Sequence, residues 1–420
     1  MKGATMKESK HLEWKEDVTN TFLKTVSAYA NYEGGTIEFG RNDKGEIVGL
    51  DDIRQACLNI ENKINDSIAP MPDYSIQIKG RIIVLEVSAG IAKPYFYKGK
   101  AYKRSDTATI EVDNIELKRL ALEGANKYYE QLKSEKQDLR FTYLESCLKE
   151  ILKVDRLSED ILKTLNFYVD GNSYNNAAAL FADENNFSGI DIARFGDSIN
   201  IFLDRKSFVN VSVLELFNET IKIFDLYYQY EQIEGQVREK KYLIPSDAYR
   251  EAVANALIHR TWDINSNIRI LMYKDKIEIS SPGGLPSGIS KEEYLNGRVS
   301  VLRNPTLANI FYRLNYVEIF GTGVRRIIEA YRDYTVNPDF VITENTITVV
   351  LPVINASGKM TTDEQKLVDV FTKTSVLSSS EMVELAGFNK AKTLRLAQSL
   401  IDKGILRREG EGRATGYSLN

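Results

Sequence analysis

Apolar residues recur at helical spacing in Val18, Phe22, Val26 and Tyr29, which predicts a helix over 18–30. Gly34-Gly35 breaks it, and Thr36-Ile37-Glu38-Phe39-Gly40 alternates as a strand does. Asn42-Asp43-Lys44-Gly45 is a turn signal and Ile47-Val48-Gly49 resumes extended chain, so a hairpin is expected. Residues 81–87 (RIIVLEV) read as a strand, and 114–136 as a charged connecting helix. Amphipathic patterns predict helices over 141–153 and 212–227, and a further helix over 247–260. Strands are expected at 267–273 and 276–280 around Asp275, and at 346–353. Asn355-Ala356-Ser357-Gly358-Lys359 is a short polar linker to a compact tail.

The tail opens with a helix over 363–372 that turns Leu367, Val368 and Phe371 inward. Ser379 and Ser380 stand where an N-cap belongs, ahead of a helix ended by Gly387. Asn389 caps a third helix over 390–403, with Leu394, Ala397 and Leu400 on its buried face and Gly404 as its stop. Ile405-Leu406-Arg407-Arg408 and Tyr417-Ser418-Leu419 flank the turn Gly410-Glu411-Gly412-Arg413. This order is that of a winged helix-turn-helix. Its third helix would present Lys390, Lys392, Thr393 and Arg395 to a DNA groove, while Arg407, Arg408 and Arg413 meet phosphates. Glu409 and Glu411 suit the other use of such a module, contact with proteins.

Length and charge narrow the class. The chain has 420 residues, enough for two to four domains, and its net charge of -4 excludes a globally basic nucleic-acid binder. DNA contact must then come from local basic patches. Cys57 and Cys147 match no zinc spacing, and His11 and His259 are the only histidines, which excludes a His-rich metal site. No apolar run is long enough to span a bilayer, and the charged N-terminal stretch has no signal-peptide core. A cytoplasmic protein with no membrane partner is expected.

The most specific stretch is Pro245-Ser246-Asp247-Ala248-Tyr249-Arg250-Glu251-Ala252-Val253-Ala254-Asn255-Ala256-Leu257-Ile258-His259-Arg260. Glu251, Asn255 and His259 recur every four residues, so they share a helix face. A carboxylate one turn before an amide suits a water and a Mg²⁺–phosphate held together. Gly283-Gly284 follows a strand and permits close backbone approach to a ligand. Arg303-Asn304-Pro305 comes next, and Gly321-Thr322-Gly323 leads into a helix whose first N–H groups suit phosphate.

Together these residues, over 140–355, resemble the RecG-helicase-like, GHKL-type ATPase domain of bacterial transcriptional regulators. Asn176-Ala177-Ala178-Ala179-Leu180-Phe181 and Asp204-Arg205-Lys206-Ser207-Phe208 match it more weakly. The resemblance implies ATP and Mg²⁺ as cofactors. It makes Glu251 the catalytic base and Asn255 the Mg²⁺ ligand, with Gly283, Gly284, Gly321, Thr322 and Gly323 holding the nucleotide. The chain departs from the pattern at Ser281-Pro282, where the adenine-reading Asp would stand. It has no Walker A pattern, which excludes a P-loop helicase motor.

Upstream, Glu8-Ser9-Lys10-His11-Leu12-Glu13-Trp14-Lys15, Ala28-Tyr29-Ala30-Asn31-Tyr32-Glu33-Gly34-Gly35, Asp43-Lys44-Gly45 and Val48-Gly49 resemble the AlbA-like domain shared with Schlafen proteins. This assigns 1–115 to a DNA-binding domain and 116–139 to a helical connector. Lys93-Pro94-Tyr95-Phe96-Tyr97-Lys98 and Tyr102-Lys103-Arg104 interleave basic and aromatic residues, and Lys103 and Arg104 are candidate nucleic-acid contacts. Some Schlafen relatives are RNA endonucleases with a three-acid metal site, which would map onto Glu8, Glu13 and Asp43. The same acids also suit simple pairing with Lys10 or Lys15.

The expected fold is therefore α+β and multidomain: an AlbA/Schlafen-like α/β domain, a GHKL-like α/β sandwich of residues 140–355, and a winged helix-turn-helix of 360–420. The expected function is a DNA-binding transcriptional regulator with a nucleotide effector, compatible with a homo-oligomer. The competing readings are a metal-dependent nuclease of Schlafen type, a Mg-ATPase acting on nucleic acid, and a scaffold for protein partners.

Overall fold

The computed structural model describes residues 7–234, 237–286, 289–297, 301–318, 321–354, 360–371, 376–410 and 415–419. The chain divides into two compact units, Met1–Tyr129 and Glu130–Asn420.

The first unit runs β1 (Leu12–Lys15), α1 (Phe22–Asn31), β2 (Gly35–Phe39), α2 (Ile53–Ser67), β3 (Ile68–Ala69), β4 (Tyr74–Lys79), β5 (Ile82–Val87), β6 (Phe96–Tyr97), β7 (Lys100–Ser105), β8 (Ala108–Glu111) and α3 (Asn114–Gly124). Its sheets are ordered β1-β2-β5-β4 and β3-β6-β7-β8. Helix α1 is buried along nearly its whole length. Phe22, Leu23, Val26 and Tyr29 pack with Ile37, Phe39, Ile83 and Leu85 into one core.

Two sequence expectations fail here for local reasons. The expected 36–49 hairpin shrinks to a tight turn closed by one antiparallel bridge, Arg41 to Ile47, and adds no strand to the sheet. Strand β2 is already flanked by β1, in parallel, and by β5, antiparallel, so no edge remains for a third strand. The chain instead folds back over Gly40, whose carbonyl accepts Val48 N and Gly49 N at 3.0 and 2.9 Å, and leaves Ile47 57% exposed. The connecting helix, expected to reach 136, stops at Gly124. A Cβ at Gly124 would stand 1.8 Å from the Lys93 carbonyl oxygen, and Asn126 then takes φ +50°, which ends helical propagation.

The second unit begins with α4 (Thr142–Leu152), α5 (Glu159–Thr164), β9 (Tyr168–Val169), β10 (Ser173–Tyr174) and α6 (Asn176–Phe181). It continues with β11 (Ile190–Phe195), β12 (Phe202–Phe208), α7 (Val213–Tyr228), β13 (Gln229–Glu234), β14 (Val237–Tyr242), α8 (Ser246–Ile258), β15 (Ile268–Met272) and β16 (Lys276–Pro282). Then come α9 (Lys291–Asn296), α10 (Pro305–Arg313), α11 (Gly323–Glu329), β17 (Asp339–Ile342) and β18 (Thr346–Pro352). A six-stranded sheet has the order β12-β11-β15-β16-β18-β17, parallel only between β11 and β15. Period-two alternation decides its buried face. Ile192, Ile270, Ile279 and Val349 are successive cross-strand partners, as are Met272, Ile277 and Leu351, and all are buried. Helix α8 packs on β16 and β18.

The tail forms α12 (Thr362–Val368), β19 (Leu377–Ser378), α13 (Ser379–Ala386), α14 (Lys390–Asp402), β20 (Leu406–Glu409) and β21 (Gly416–Leu419) around its own core. Its small sheet is ordered β19-β21-β20. Three details differ from expectation. Ser378, not Ser379 or Ser380, caps α13, closing a capping box with Glu381. The buried stripe of α14 is Thr393, Leu396, Ala397 and Leu400, the i, i+3, i+4, i+7 pattern of one helix face. That stripe turns Leu394 outward, to 37% exposure, and hides Thr393. The first helix ends at Val368, short of the expected 372.

Candidate functional site

Helix α8 runs through the core of the second unit, with Ala248, Tyr249, Ala252, Val253 and Leu257 all buried. Apolar packing on its other faces leaves Glu251 and Asn255 turned toward the start of α11. A Cβ at Gly323 would stand 2.5 Å from Asn255 Nδ2 and 2.6 Å from Glu251 Oε1. Glycine thus lets this turn of backbone rest on the acid–amide pair, which a Cβ would push aside. Glu251 is 7% exposed. Burial raises its carboxyl above the usual range, against the opposing pull of Arg326 and an Asn255 hydrogen bond. A carboxyl poised this way accepts a proton more readily than an exposed one.

Around this contact lies a hollow of about 70 Å³, lined by Glu251, Asn255, His259, Gly284, Arg303, Gly321 and Gly323 among others. The expected elements thus converge: the acid–amide helix, the glycine pair after β16, and the Gly321-Thr322-Gly323 turn. Gly283 lines a smaller, deeper hollow of about 20 Å³ that also touches Asn255, Ser281 and His259. Gly283 has φ +107°, and a Cβ at Gly284 would stand 2.2 Å from the Glu344 carbonyl oxygen, so both glycines are demanded by the turn. Thr322 is the N-cap of α11 and makes no capping hydrogen bond with its side chain. Helix α11 has only seven residues, so its dipole adds little to anion binding.

Arg303 and Asn304, to which the motif assigned no role, tie the hollow together. Arg303 donates to the His259 carbonyl at 2.9 Å and to the Gly284 carbonyl at 3.0 Å. Buried Asn304 donates to the Ile258 and Arg260 carbonyls at 2.6 and 2.9 Å, closing the end of α8. Asn followed by Pro at the head of a helical stretch was the available signal. Burial and the Arg303 charge push the His259 imidazole down to about 4, which keeps it neutral at physiological pH. Ser281, at the position of the missing Asp, donates its hydroxyl to the Ala256 carbonyl at 2.7 Å.

The acids of the first unit are arranged otherwise. Glu13 is buried, and its carboxylate accepts from Arg104 Nη1 at 2.6 Å, Thr25 Oγ1 at 2.7 Å and Lys15 Nζ at 2.7 Å. Glu8 accepts from Trp14 N at 2.8 Å, and Asp43 lies exposed in a turn. Among the described residues, no group of three or more His, Cys, Asp or Glu side chains is placed to hold a metal ion. Pairing of Glu13 with Lys15, the simpler expectation, is present. Arg104, expected at a nucleic-acid surface, is buried against Glu13, the Tyr29 ring and the Ser9 carbonyl. On β7 the two-residue alternation puts Arg104 on the same face as buried Tyr102. Lys103 pairs with Glu116 at 2.8 Å.

In the tail, Lys390, Arg395, Arg407 and Arg408 are exposed. Arg407 is held by Glu409 at 2.9 Å, and Lys392 by Asp363 at 2.7 Å and the Phe388 ring. Arg413 lies outside the described residues.

Comparison with known proteins gives two partial family matches. Residues 8–113 match the family described as "Schlafen, AlbA_2", and residues 265–351 that described as "Putative ATP-dependent DNA helicase recG C-terminal". The second match includes both glycine turns and excludes α8. A solved structure, the DIP2311 protein of Corynebacterium diphtheriae, is 18% identical, with 98% of this chain and 95% of that one covered at a TM-score of 0.49. No curated protein matches the chain. The chain is a mixed α+β protein of several sheets, and no described helix is long and apolar enough to cross a membrane.

Proposed function

We propose that the chain is a DNA-binding regulator whose second unit binds a Mg²⁺–nucleotide in the hollow beside α8. The carrying observation is the contact of Gly323 with Glu251 and Asn255. It is a cradle that any side chain would fill, floored by a carboxylate and an amide, and that donor set suits a hard cation and a phosphate. Asn255 is the residue that would hold the metal, which when bound supplies charge neutralisation at the phosphates. Glu251 holds a proton drawn from water. Gly321, Thr322 and Gly323 let backbone approach the ligand, with Gly284 and Arg303 across the hollow. The same reading takes the tail as a winged helix-turn-helix, with Lys390 and Arg395 of α14 toward bases and Arg408 toward a phosphate. The matches to Schlafen/AlbA_2 and to a helicase C-terminal family support a nucleic-acid-related role.

The test has two arms on the full chain. Calorimetry with ATP and Mg²⁺ is expected to give saturable binding that Asn255→Ala removes, while Glu251→Gln retains binding and loses any turnover. Duplex-DNA affinity is expected to fall steeply with salt, and the Arg395→Ala/Arg408→Ala variant to lose at least about tenfold, with a salt slope shallower by about one from the lost Arg408 phosphate contact. No heat with nucleotide, or unchanged DNA affinity in the double variant, overturns the corresponding half of the reading.

A further inference from the structure

Arg303, Arg325 and Arg326 bring guanidinium groups to the hollow beside α8 and its rim, and they are held in different ways. Arg303 is committed to the His259 and Gly284 carbonyls. Arg325 donates through Nε to the Asn296 carbonyl at 2.8 Å, which ties α11 to the end of α9. Among the described residues, the one ion pair of Arg326 is with Glu318, Nη2 to Oε1 at 3.3 Å, and the two side chains are 50% and 44% exposed. Such a pair contributes little, because water screens it and both long side chains lose rotamer freedom. A phosphate offers the same guanidinium two acceptor oxygens at once, a stronger and better oriented contact.

The position of Arg326 brings it to bear on the acid–amide pair. It follows Gly323 by three residues on α11, so the two share a helix face. Gly323 rests on Glu251 and Asn255, so that face looks toward them. After burial, the charge of Arg326 is the strongest influence on the Glu251 carboxyl. Glu318, its present partner, lines the hollow itself.

We propose that Arg326 reads the terminal phosphate of a nucleoside triphosphate, exchanging Glu318 for that phosphate when the ligand binds, so that the site distinguishes triphosphate from diphosphate. This rests on the nucleotide reading of the hollow. The terminal phosphate is the one concerned because the attacking water stands beside it and Glu251 takes that water's proton. A diphosphate lacks this phosphoryl group and leaves Arg326 on Glu318.

Calorimetry on the full chain, with Mg²⁺-ATP and Mg²⁺-ADP titrated separately, tests the assignment. The parent chain is expected to bind ATP at least about tenfold more tightly than ADP, the order of one charge-assisted contact. Arg326→Ala is expected to lose that factor for ATP and to change ADP affinity by less than about twofold, because only the triphosphate reaches the guanidinium. Arg326→Lys keeps the charge without the planar fork and is expected to recover part of the loss. Glu318→Gln spares the exchange and is expected to tighten ATP binding by about two- to fivefold, the size of an exposed pair. Thermal unfolding of the Arg326 variants is expected to match the parent, since the side chain is half exposed. A preference for ATP over ADP that survives Arg326→Ala overturns the assignment and leaves the nucleotide site standing. A parent chain that binds neither nucleotide removes the site and the assignment together.

Discussion

Gly323 rests on Asn255 so closely that a methyl group on its Cα would stand 2.5 Å from the amide nitrogen. The obstructing atoms are the ends of two side chains, so the fold can yield where the cradle cannot. Gly323→Ala is therefore expected to cost about 1 kcal/mol in stability, the low end for overpacking. It is also expected to weaken Mg²⁺–nucleotide binding more than about tenfold, because Glu251 and Asn255 must turn away. Calorimetry and thermal unfolding on the same sample separate the two effects. Loss of both together would mark Gly323 as a packing residue only.

Asn304 gives an independent check on how the hollow is held. Its amide nitrogen serves two buried carbonyls at the end of α8, Ile258 and Arg260. Asn304→Asp keeps the shape but removes both donated hydrogens, and is expected to lower stability by about 2–3 kcal/mol, the range for a buried polar group left unsatisfied. Thermal unfolding reads this directly. An Asn304→Asp variant as stable as the parent would mean that water replaces the amide there.

The site was legible in the sequence where chemistry and spacing coincide. The four-residue step from Glu251 to Asn255 fixes a shared helix face, and paired glycines announce close backbone approach, so the convergence on Gly323 could be expected without coordinates. The same logic placed β15, β16 and β18, where strict alternation names the buried face. It failed where tertiary competition decides. The 36–49 hairpin had good turn chemistry, but β1 and β5 had taken both edges of β2. Leu394 looked like core because it is apolar, yet Leu396 and Thr393 complete the stripe better. The burial of Arg104 depends on a partner 91 positions away, a pairing that no local pattern encodes.

That pairing makes its own prediction. Arg104 and Glu13 are both almost wholly buried, and removing Arg104 leaves Glu13 with Lys15 as its remaining charged partner and Thr25 as a hydrogen-bond donor. Arg104→Ala is expected to destabilise the first unit by about 1.5–3 kcal/mol, the range for a lost hydrogen bond to a charged group. Trp14 is the only tryptophan of residues 1–129, so its fluorescence, corrected for Trp262 by a Trp262→Phe background, follows that unit. Adding Glu13→Gln to Arg104→Ala is expected to recover part of the loss. Reduced DNA affinity in an Arg104→Ala protein of full stability would instead return Arg104 to the list of nucleic-acid contacts.

The tail carries a pH-dependent tie. Glu364 joins α12 to α14, accepting from Ser399 Oγ at 2.6 Å and Lys403 Nζ at 2.7 Å, and from Thr361 N at 2.6 Å. Burial alone would raise its carboxyl, but these hydrogen bonds outweigh burial and hold it at about 2, against an ordinary 4.5. The folded form thus binds its proton less readily than the unfolded chain. The stabilisation is fully present above about pH 4.5 and is lost as pH falls through about 2. Amide exchange over 361–371 and 390–403, corrected for intrinsic rates, is expected to show protection that declines across this window. Glu364→Gln should lower protection at neutral pH and flatten the decline below it. A decline as steep in Glu364→Gln as in the parent chain would assign the acid lability to another carboxylate.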